Sequence, residues 1–485
     1  MPTPVTLDGH SLSIADVVAV ARGNAPVAIA PRALGAVQQS RRAVEAAIER
    51  GQTMYGVNTG FGKLAHVRIP PEQARQLQLN LIRSHASGVG EPLAQDAVRA
   101  MMLLRANVLL RGTSGVRPVL PELLVDMLNA RVHPTVPSQG SVGASGDLAP
   151  LSHLALAMIG EGDVQVSRPI TLEAKEGLAF VNGTQAQTGL AALLVTDAWT
   201  AWRTAHAAAA MSLEAVRGSP DPFDARIHDA RPHPQQQRSA TLLRDLLADS
   251  EIRESHREND PRVQDAYSLR CTPQVLGAAG EGLAFAEQLV TTELNAATDN
   301  PLVFGDDVIS GGNFHGQPIA LALDVVAIAL TTLAGLAERR LERVVNPDLS
   351  SGLPAFLAHD PGLESGFMTA QIAAAALVAD CRVLATPASV QSVPTEGNQE
   401  DVVPMGMSAA WKAGRILANT ERILAIELLA GAQGLEYLKP LRPATAVARL
   451  QAAVREDSPA LTGDRPMTAD IERVAAGIRA GRFAP

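Results

Sequence analysis

Long apolar segments with helical periodicity in the second half of the chain constrain its fold more than any other feature. They cover residues 280–298, 317–345, 362–385 and 405–433. Prolines that would interrupt such helices fall near their boundaries, at Pro301, Pro347, Pro361 and Pro387. A thin monomer could not shelter helices this long and this apolar. The pattern therefore predicts a mainly α-helical protein with a long central bundle, whose helices pack between subunits.

The first 200 residues have shorter periodic segments, and weak strand signals accompany them near the N-terminus. Predicted helices run from about Pro92 to Gly112, from Pro121 to before Pro134, over Leu148–Ile159, and over Leu190–Val216. We therefore expect a smaller N-terminal region over residues 1–200 and the bundle over residues 201–485. The boundary is approximate, and one continuous domain is the alternative.

Composition excludes several classes of protein. The formal net charge is −9 with no block of Lys or Arg, which argues against a nucleic-acid or membrane-surface partner. Two Cys do not make a disulfide scaffold and are typical of a reducing compartment. The N-terminus lacks a signal-peptide pattern, so we expect a cytoplasmic location.

One segment, Ile319–Ala337, is almost long and apolar enough to span a bilayer, with Asp324 as its single charge. The same helical pattern continues through Arg339 and Arg340, which we expect to reach water. We therefore interpret the segment as a buried core helix.

The segment Gly140–Pro150 carries the chemistry that sets this chain apart from common enzyme classes. It can be a Gly-rich turn before a helix, with Asp147 as the N-cap. It can also be a self-cyclising loop, in which the amide nitrogen of Gly146 attacks the carbonyl carbon of Ala144 and Ser145 loses water. Small residues permit that close approach of backbone atoms. A hydrolase that pairs a serine here with His133 or His153 is a weaker alternative.

The segment resembles the loop that forms methylidene-imidazolone (MIO) in the aromatic amino acid ammonia-lyase and aminomutase family. Six more segments resemble motifs of that family in the same order: Tyr55–Gly62, Asn182–Gln185, Gln264–Cys271, Thr298–Leu302, Gly311–His315 and Asn398–Asp401. The resemblance implies the mainly α fold of the fumarase/aspartase-like superfamily. It also implies a homotetramer with active sites shared between subunits, and MIO made from Ala144-Ser145-Gly146 with no external cofactor and no metal.

The resemblance also implies catalytic roles. The methylidene derived from Ser145 would accept the substrate amine, because ordinary side chains offer no strong electrophile. Tyr55 would act as the base that removes the β-proton, on a lid loop flanked by Gly56 and Gly60. Tyr267 matches the family position near the ring. A structural tyrosine is the commoner role for a Tyr in general.

Substrate-binding roles follow from the same motifs. Arg270 would hold the substrate carboxylate through a bidentate pair, although an ordinary ion pair would be expected without its motif. The remaining residues implied to contact the ring or the substrate are Asn182, Gln264, Phe314 and Gln399.

The pair Ser84-His85 resembles that of the histidine-specific members, where tyrosine-specific members carry His-Leu and phenylalanine-specific members Phe-Leu. His85 can exchange a hydrogen bond with an imidazole, and Glu400 matches an acidic residue near it. The implied reaction is the conversion of L-histidine to trans-urocanate and ammonia in histidine degradation. The alternatives are a tyrosine or phenylalanine ammonia-lyase or aminomutase, and a helical assembly protein that has lost the chemistry.

The region around Glu400 departs from the pattern of histidine-active members at three positions. Glu396 stands where they often carry Ser, Val402 where they carry His, and Pro404 where they carry Ser. These differences bear on the pH optimum and on how strictly histidine is preferred.

Overall fold

A computed structural model describes residues 3–485 and is 58% helical, which confirms the mainly α prediction. The α-helices α1–α9 are Ile14–Ala21, Pro31–Glu49, Ala74–His85, Gln95–Leu110, Val119–Asn129, Leu148–Met158, Glu176–Val181, Gln185–Ala215 and Ala225–Asp229. The α-helices α10–α18 are Pro234–Leu246, Glu251–Glu254, Tyr267–Arg270, Thr272–Glu293, Gln317–Val345, Met368–Leu384, Gly406–Glu436, Thr445–Asp457 and Thr468–Arg479. Short 3-10 turns cover Gly62–Leu64, Pro71–Gln73, Asp221–Phe223, Ala355–Leu357 and Glu396–Asn398.

The long helices coincide with the predicted apolar segments. Helix α14 matches its expected range at both ends, and α16 runs three residues beyond the expected end at residue 433. Helix α13 begins at Thr272, earlier than expected, because Pro273 occupies its first turn, where a missing N–H does no harm. Helix α15 begins at Met368, later than expected, because residues 362–367 form turns.

Strands are few and short. β1 (Val5–Leu7) pairs in parallel with β2 (Val27–Ile29), with Val5 opposite Val27. β3 (Val89–Pro92) pairs antiparallel with β4 (Pro137–Gln139) across an irregular register. β5 (Leu302–Phe304) and β6 (Asp307–Ile309) form a hairpin. Each sheet has two strands, so helix packing carries the core.

The chain divides into two compact units, each assembled from three separate segments. Unit 1 comprises Met1–Leu194, Ala286–Asp324 and Pro387–Trp411. Unit 2 comprises Val195–Phe285, Val325–Thr386 and Lys412–Pro485. The expected division near residue 200 stays a prediction.

Helix α14 is, among residues 3–485, the one helix long and apolar enough to cross a membrane by length and composition, but 67% of its apolar window is buried within the protein. Our expectation that Arg340 reaches water was wrong. Its guanidinium is fully buried and forms a two-point ion pair with Glu427, with N–O distances of 2.6 and 2.9 Å. The hydroxyl of Ser212 donates to the same carboxylate at 2.9 Å. The buried charge on α14 is therefore matched by a buried carboxylate on α16.

We expect Arg340→Met to lower the free energy of unfolding by about 3–5 kcal/mol, because it leaves the Glu427 carboxylate buried without its cation. The double variant Arg340→Met/Glu427→Met should recover most of that loss. Urea unfolding of each variant measures the effect. The control is Arg339→Met, because the Arg339 side chain is 57% exposed beside Glu338. Equal losses for Arg339→Met and Arg340→Met would contradict this account.

Candidate active site

A cavity of about 470 Å³ in unit 1 gathers residues from chain segments far apart in sequence. It lies where the loop after α2, the C-terminal end of α3, the loop before α6 and the turn before α16 meet. Its lining residues are Tyr55, Phe61, Gly62, Ala65, Leu81, His85, Ala144, Ser145, Leu148, Leu178, Asn182, Asn300, Ser310, Gly311, Phe314, His315, Glu396, Gln399, Glu400, Asp401 and Val402.

Tyr55 is positioned by the loop that connects α2 to α3. The backbone N–H of Gly62 donates a hydrogen bond to the Tyr55 hydroxyl at 2.9 Å. The ring of Phe61 packs edge-on to the Tyr55 ring, with centroids 6.4 Å apart. Gly56 is buried, and a methyl group placed on it would lie 2.3 Å from the side chain of Leu178. The loop thus holds the Tyr55 ring at the cavity wall through the contact with Phe61 and the hydrogen bond from Gly62.

The tripeptide Ala144-Ser145-Gly146 forms a tight bend. Single β-bridges join Gly146 to both Gly143 and Ala144, and Gly146 has a positive φ of 74°. A methyl group on Gly146 would lie 2.4 Å from the backbone N and O of Gly183. Only glycine fits this position, because both the conformation and the close approach exclude a side chain.

Asp147 anchors this bend. It occupies the N-cap position of α6, as the turn interpretation predicts, but its carboxylate makes no capping bond to the helix. The carboxylate instead accepts from the Ser141 hydroxyl at 3.0 Å and from the backbone and side-chain N–H groups of Gln187 at 2.9 and 3.2 Å. Complete burial raises the pKa of Asp147 to about 6, although these hydrogen bonds oppose the shift.

Ser145 meets two side chains from other segments. Its carbonyl accepts a hydrogen bond from the Asn182 side chain at 2.7 Å, just after α7 ends. Its hydroxyl donates to Glu400 at 2.5 Å. The second oxygen of Glu400 accepts from the Thr395 hydroxyl at 2.6 Å. Glu400 is therefore held over the serine rather than free in solvent.

The electrostatics of the cavity are dominated by burial and by acidic groups. Desolvation raises the pKa of Tyr55, the Gly62 N–H opposes that rise, and the charges of Glu396 and Glu400 add to it. Desolvation also lowers the pKa of His85, the last residue of α3. The Nδ1 atom of His85 lies 2.9 Å from the hydroxyl of Ser84. The imidazole is thus biased towards its neutral form.

Most of the residues singled out from the sequence lie together. Those that line the cavity are Tyr55, His85, Ala144, Ser145, Asn182, Phe314, Gln399 and Glu400. Gly146 lies directly beside them in the bend.

Three of the singled-out residues do not line this cavity: Gln264, Tyr267 and Arg270. They belong to unit 2, where the Tyr267 side chain is 69% exposed. The Arg270 guanidinium stacks on the Tyr267 ring at 4.6 Å from its centroid. The Arg270 Nε is buried without a hydrogen-bond partner.

Sequence reasoning missed several lining residues. The Asn300 side chain accepts a hydrogen bond from the Gly311 N–H at 2.7 Å. It thereby connects the motifs Thr298–Leu302 and Gly311–His315, in which only Phe314 was expected to have a role. His315 lies with its Nε2 3.1 Å from the carbonyl of Val402. Glu396 was noted as a departure from a pattern and not as a cavity residue. The position of Asn300 and His315 inside those motifs was the available signal.

Comparison with known proteins agrees with this geometry. A sequence profile described as aromatic amino acid lyase matches residues 12–456. This chain belongs to the aromatic amino acid lyase family. A histidine ammonia-lyase from Koribacter versatilis is 50% identical over 99% of this chain and 98% of that protein.

Solved structures of relatives share the fold of this family member. A tyrosine aminomutase from Streptomyces globisporus superposes with a TM-score of 0.94 at 42% identity, covering 99% of this chain and 98% of that one. A histidine ammonia-lyase from Trypanosoma cruzi superposes with a TM-score of 0.91 at 43% identity, covering 99% and 94%. The hydrolase alternative loses its support, because Glu400 holds the Ser145 hydroxyl and His153 accepts from the Gly88 N–H at 3.2 Å.

We expect Asp147→Asn to raise stability above about pH 6. The pKa of Asp147 rises from 3.8 in the unfolded chain to about 6 in the folded protein, so folding favours the protonated form. Stability therefore falls as pH rises between these values, by at most about 3 kcal/mol, and stays lower above pH 6. Asn can replace the acid if the Gln187 side-chain amide turns over, because the Gln187 Oε1 has no partner and can then accept the N–H of Asn.

Melting temperatures between pH 4 and pH 8 measure this effect. The variant should match the wild type near pH 4 and exceed it near pH 7. A wild-type curve parallel to that of Asp147→Asn across the whole range would contradict the assignment.

Proposed function

We propose that this carbon–nitrogen lyase eliminates ammonia from L-histidine and releases trans-urocanate. The observation that carries the proposal is one cavity in which Ser145, Glu400, Tyr55 and His85 meet. Relatives named histidine ammonia-lyase that are about 50% identical over nearly the whole chain support it.

The bend at Ala144-Ser145-Gly146 fits the formation of MIO. Gly146 already folds back on Ala144. Because Gly146 has no side chain, its amide nitrogen can approach the carbonyl carbon of Ala144. Asp147, held in place by Ser141 and Gln187, fixes the peptide that follows. The Asn182 side chain would hold the oxygen of Ser145. Once formed, MIO supplies the electrophile that ordinary side chains lack, for the amine of the substrate.

Tyr55 is proposed to remove the proton from the β-carbon. A phenol is a base only when ionised, and the Gly62 N–H stabilises the phenolate through its hydrogen bond to the hydroxyl oxygen. Burial and two nearby carboxylates oppose ionisation. We therefore expect proton abstraction to be most effective in the alkaline range, where Tyr55 loses its proton.

His85 and Glu400 are proposed to face the imidazole of the substrate. A half-buried imidazole biased towards neutrality can donate or accept one hydrogen bond with another imidazole. Glu400 lies over Ser145 and offers a carboxylate to a ring nitrogen. Phe314 and Gln399 complete this side of the cavity. Apolar side chains in place of these groups would suit a phenyl ring instead.

The substrate carboxylate requires a cation that the cavity lining does not contain. We propose that Arg270 provides it, with Tyr267 and Gln264, from another copy of the chain in a homotetramer. Exposure of Tyr267 and the unpartnered Arg270 Nε support this assignment. A planar guanidinium binds a carboxylate at two points.

We also propose a cytoplasmic location, because two Cys are typical of a protein in a reducing compartment.

With purified protein we expect faster turnover of L-histidine than of L-tyrosine or L-phenylalanine, because the cavity offers polar partners to a ring nitrogen. Absorbance of the unsaturated product follows each reaction, and kcat/KM ranks the substrates. Histidine should lead by about 100-fold or more, since unpaired buried polar groups penalise an apolar ring. A higher kcat/KM with tyrosine, or a β-amino acid product, would identify the tyrosine lyase or aminomutase alternative instead.

Intact mass tests the origin of MIO. The wild-type chain should weigh less than its sequence by two water molecules, and Ser145→Ala should not lose the second water because it has no hydroxyl. Activity of that variant should fall by roughly 1,000-fold or more. The matched control is Ser152→Ala on α6, where the serine hydroxyl bonds the Leu148 carbonyl at 2.7 Å. A full-mass, fully active wild type would contradict this role.

A further inference from the structure

Glu396 lies in a turn whose backbone conformation is unfavourable for most residues. Glu396, Gly397 and Asn398 have consecutive positive φ angles of 51°, 61° and 65°. The left-handed conformation costs roughly 1–2 kcal/mol at a residue with a side chain. Thr395 and Glu400 close the turn, with the Thr395 N–H donating to the Glu400 carbonyl at 2.8 Å. The closed turn carries both Glu396 and Glu400, and both residues line the cavity.

The Glu396 side chain reaches into the cavity and packs on the loop of Tyr55. A methyl group on Gly62 would lie 1.8 Å from the carboxylate of Glu396, so the carboxylate occupies the space that a side chain at position 62 would need. The N–H of the same Gly62 donates to the Tyr55 hydroxyl. Glu396 thus stands beside the residues proposed to do the chemistry, although no role was assigned to it from the sequence.

The cavity lining is strongly acidic. Its charged side chains are Glu396, Glu400 and Asp401, and none of the described lining residues is Lys or Arg. Burial and the charge of Glu400 both raise the pKa of Glu396. Lys63 is close to the turn, since a methyl group placed on Gly397 would lie 3.7 Å from its side chain, but Lys63 does not line the cavity. Two carboxylates that line one cavity and repel one another are stabilised by a cation bound close to both of them.

We propose that Glu396 is a specificity-determining residue that acts with Glu400 to bind a positively charged ring on the substrate side chain. On the proposed function, that ring is the imidazolium form of histidine. The two carboxylates would stabilise the ring in its protonated form on binding, and they would offer nothing comparable to a phenyl or phenol ring. His85 then contributes a hydrogen bond, and the carboxylate pair contributes the charge selection.

A simpler role for Glu396 would be to hold the Gly62 turn in place. That role predicts equal losses for all ligands when Glu396 is replaced, because the Tyr55 loop serves every substrate. Charge recognition predicts losses confined to cationic ligands. The two roles therefore predict different ratios between the inhibition constants of a cationic and a neutral ligand, whereas both roles can lower the activity.

The experiment measures competitive inhibition of L-histidine turnover at about pH 8 by two rings of similar size. N,N′-dimethylimidazolium carries a permanent charge, and N-methylpyrazole is neutral at that pH. In Glu396→Gln, the inhibition constant of the cation should rise about threefold to tenfold, the scale of one partly exposed charge contact. The inhibition constant of the neutral ring should stay within about twofold. The KM for L-histidine should rise while kcat changes less.

Two further variants complete the test. Glu396→Ser introduces the residue that histidine-active members often carry at this position. It should weaken binding of the cationic ring as much as Glu396→Gln does. Asp126→Asn removes one charge from the exposed face of α5 in the same unit and should change neither inhibition constant. Equal inhibition constants for the cation in wild type and Glu396→Gln, or equal losses for both rings, would overturn the proposal. A wild type that does not turn over L-histidine would instead overturn the proposed function.

Discussion

The contact between the backbones of Gly146 and Gly183 is the constraint on which the rest of the site depends. The N–H of Asp147 donates to the Gly183 carbonyl at 2.7 Å, and a methyl on Gly183 would lie 2.2 Å from the guanidinium of Arg105. Arg105 is fully buried and bonds the Ala179 carbonyl and the Gln185 side chain, so burial lowers its pKa to about 10. These contacts fix the bend against the end of α7 and the start of α8. They also place Asn182 where its side chain donates a hydrogen bond to the Ser145 carbonyl.

The charge of the cavity depends on which side chains line it. Its carboxylates come from one turn, between Thr395 and Asp401, and none of the described lining residues is Lys or Arg. A single chain therefore presents an acidic cavity suited to a basic ring and an amine.

Prediction from sequence succeeded where the signal is local. Helix α14 was predicted to the residue, since apolar periodicity and flanking breakers mark its two ends. Tyr55, Ser145, Asn182 and Glu400, which come from four separate motifs, line one cavity, and their roles there stay predictions. The same reasoning wrongly placed Arg340 in water. Periodicity indicates which residues share a face of a helix, but it cannot show that the Arg340 guanidinium meets a buried carboxylate from another helix. Sequence reasoning correctly placed Asp147 at the N-cap position of α6, but it could not show that the carboxylate bonds Gln187 and not the first helix N–H groups.

The sequence by itself determined the helical class of this protein and its family, and it singled out the tripeptide Ala144-Ser145-Gly146, because all three depend on residue types and spacing. Only the tertiary structure decided that Glu400 bonds the Ser145 hydroxyl across 255 positions of chain and that Glu396 packs on Gly62. It also decided that Gly146 must lack a side chain because Gly183 stands against it. Contacts between distant segments depend on the packing of the whole unit, which no local pattern encodes.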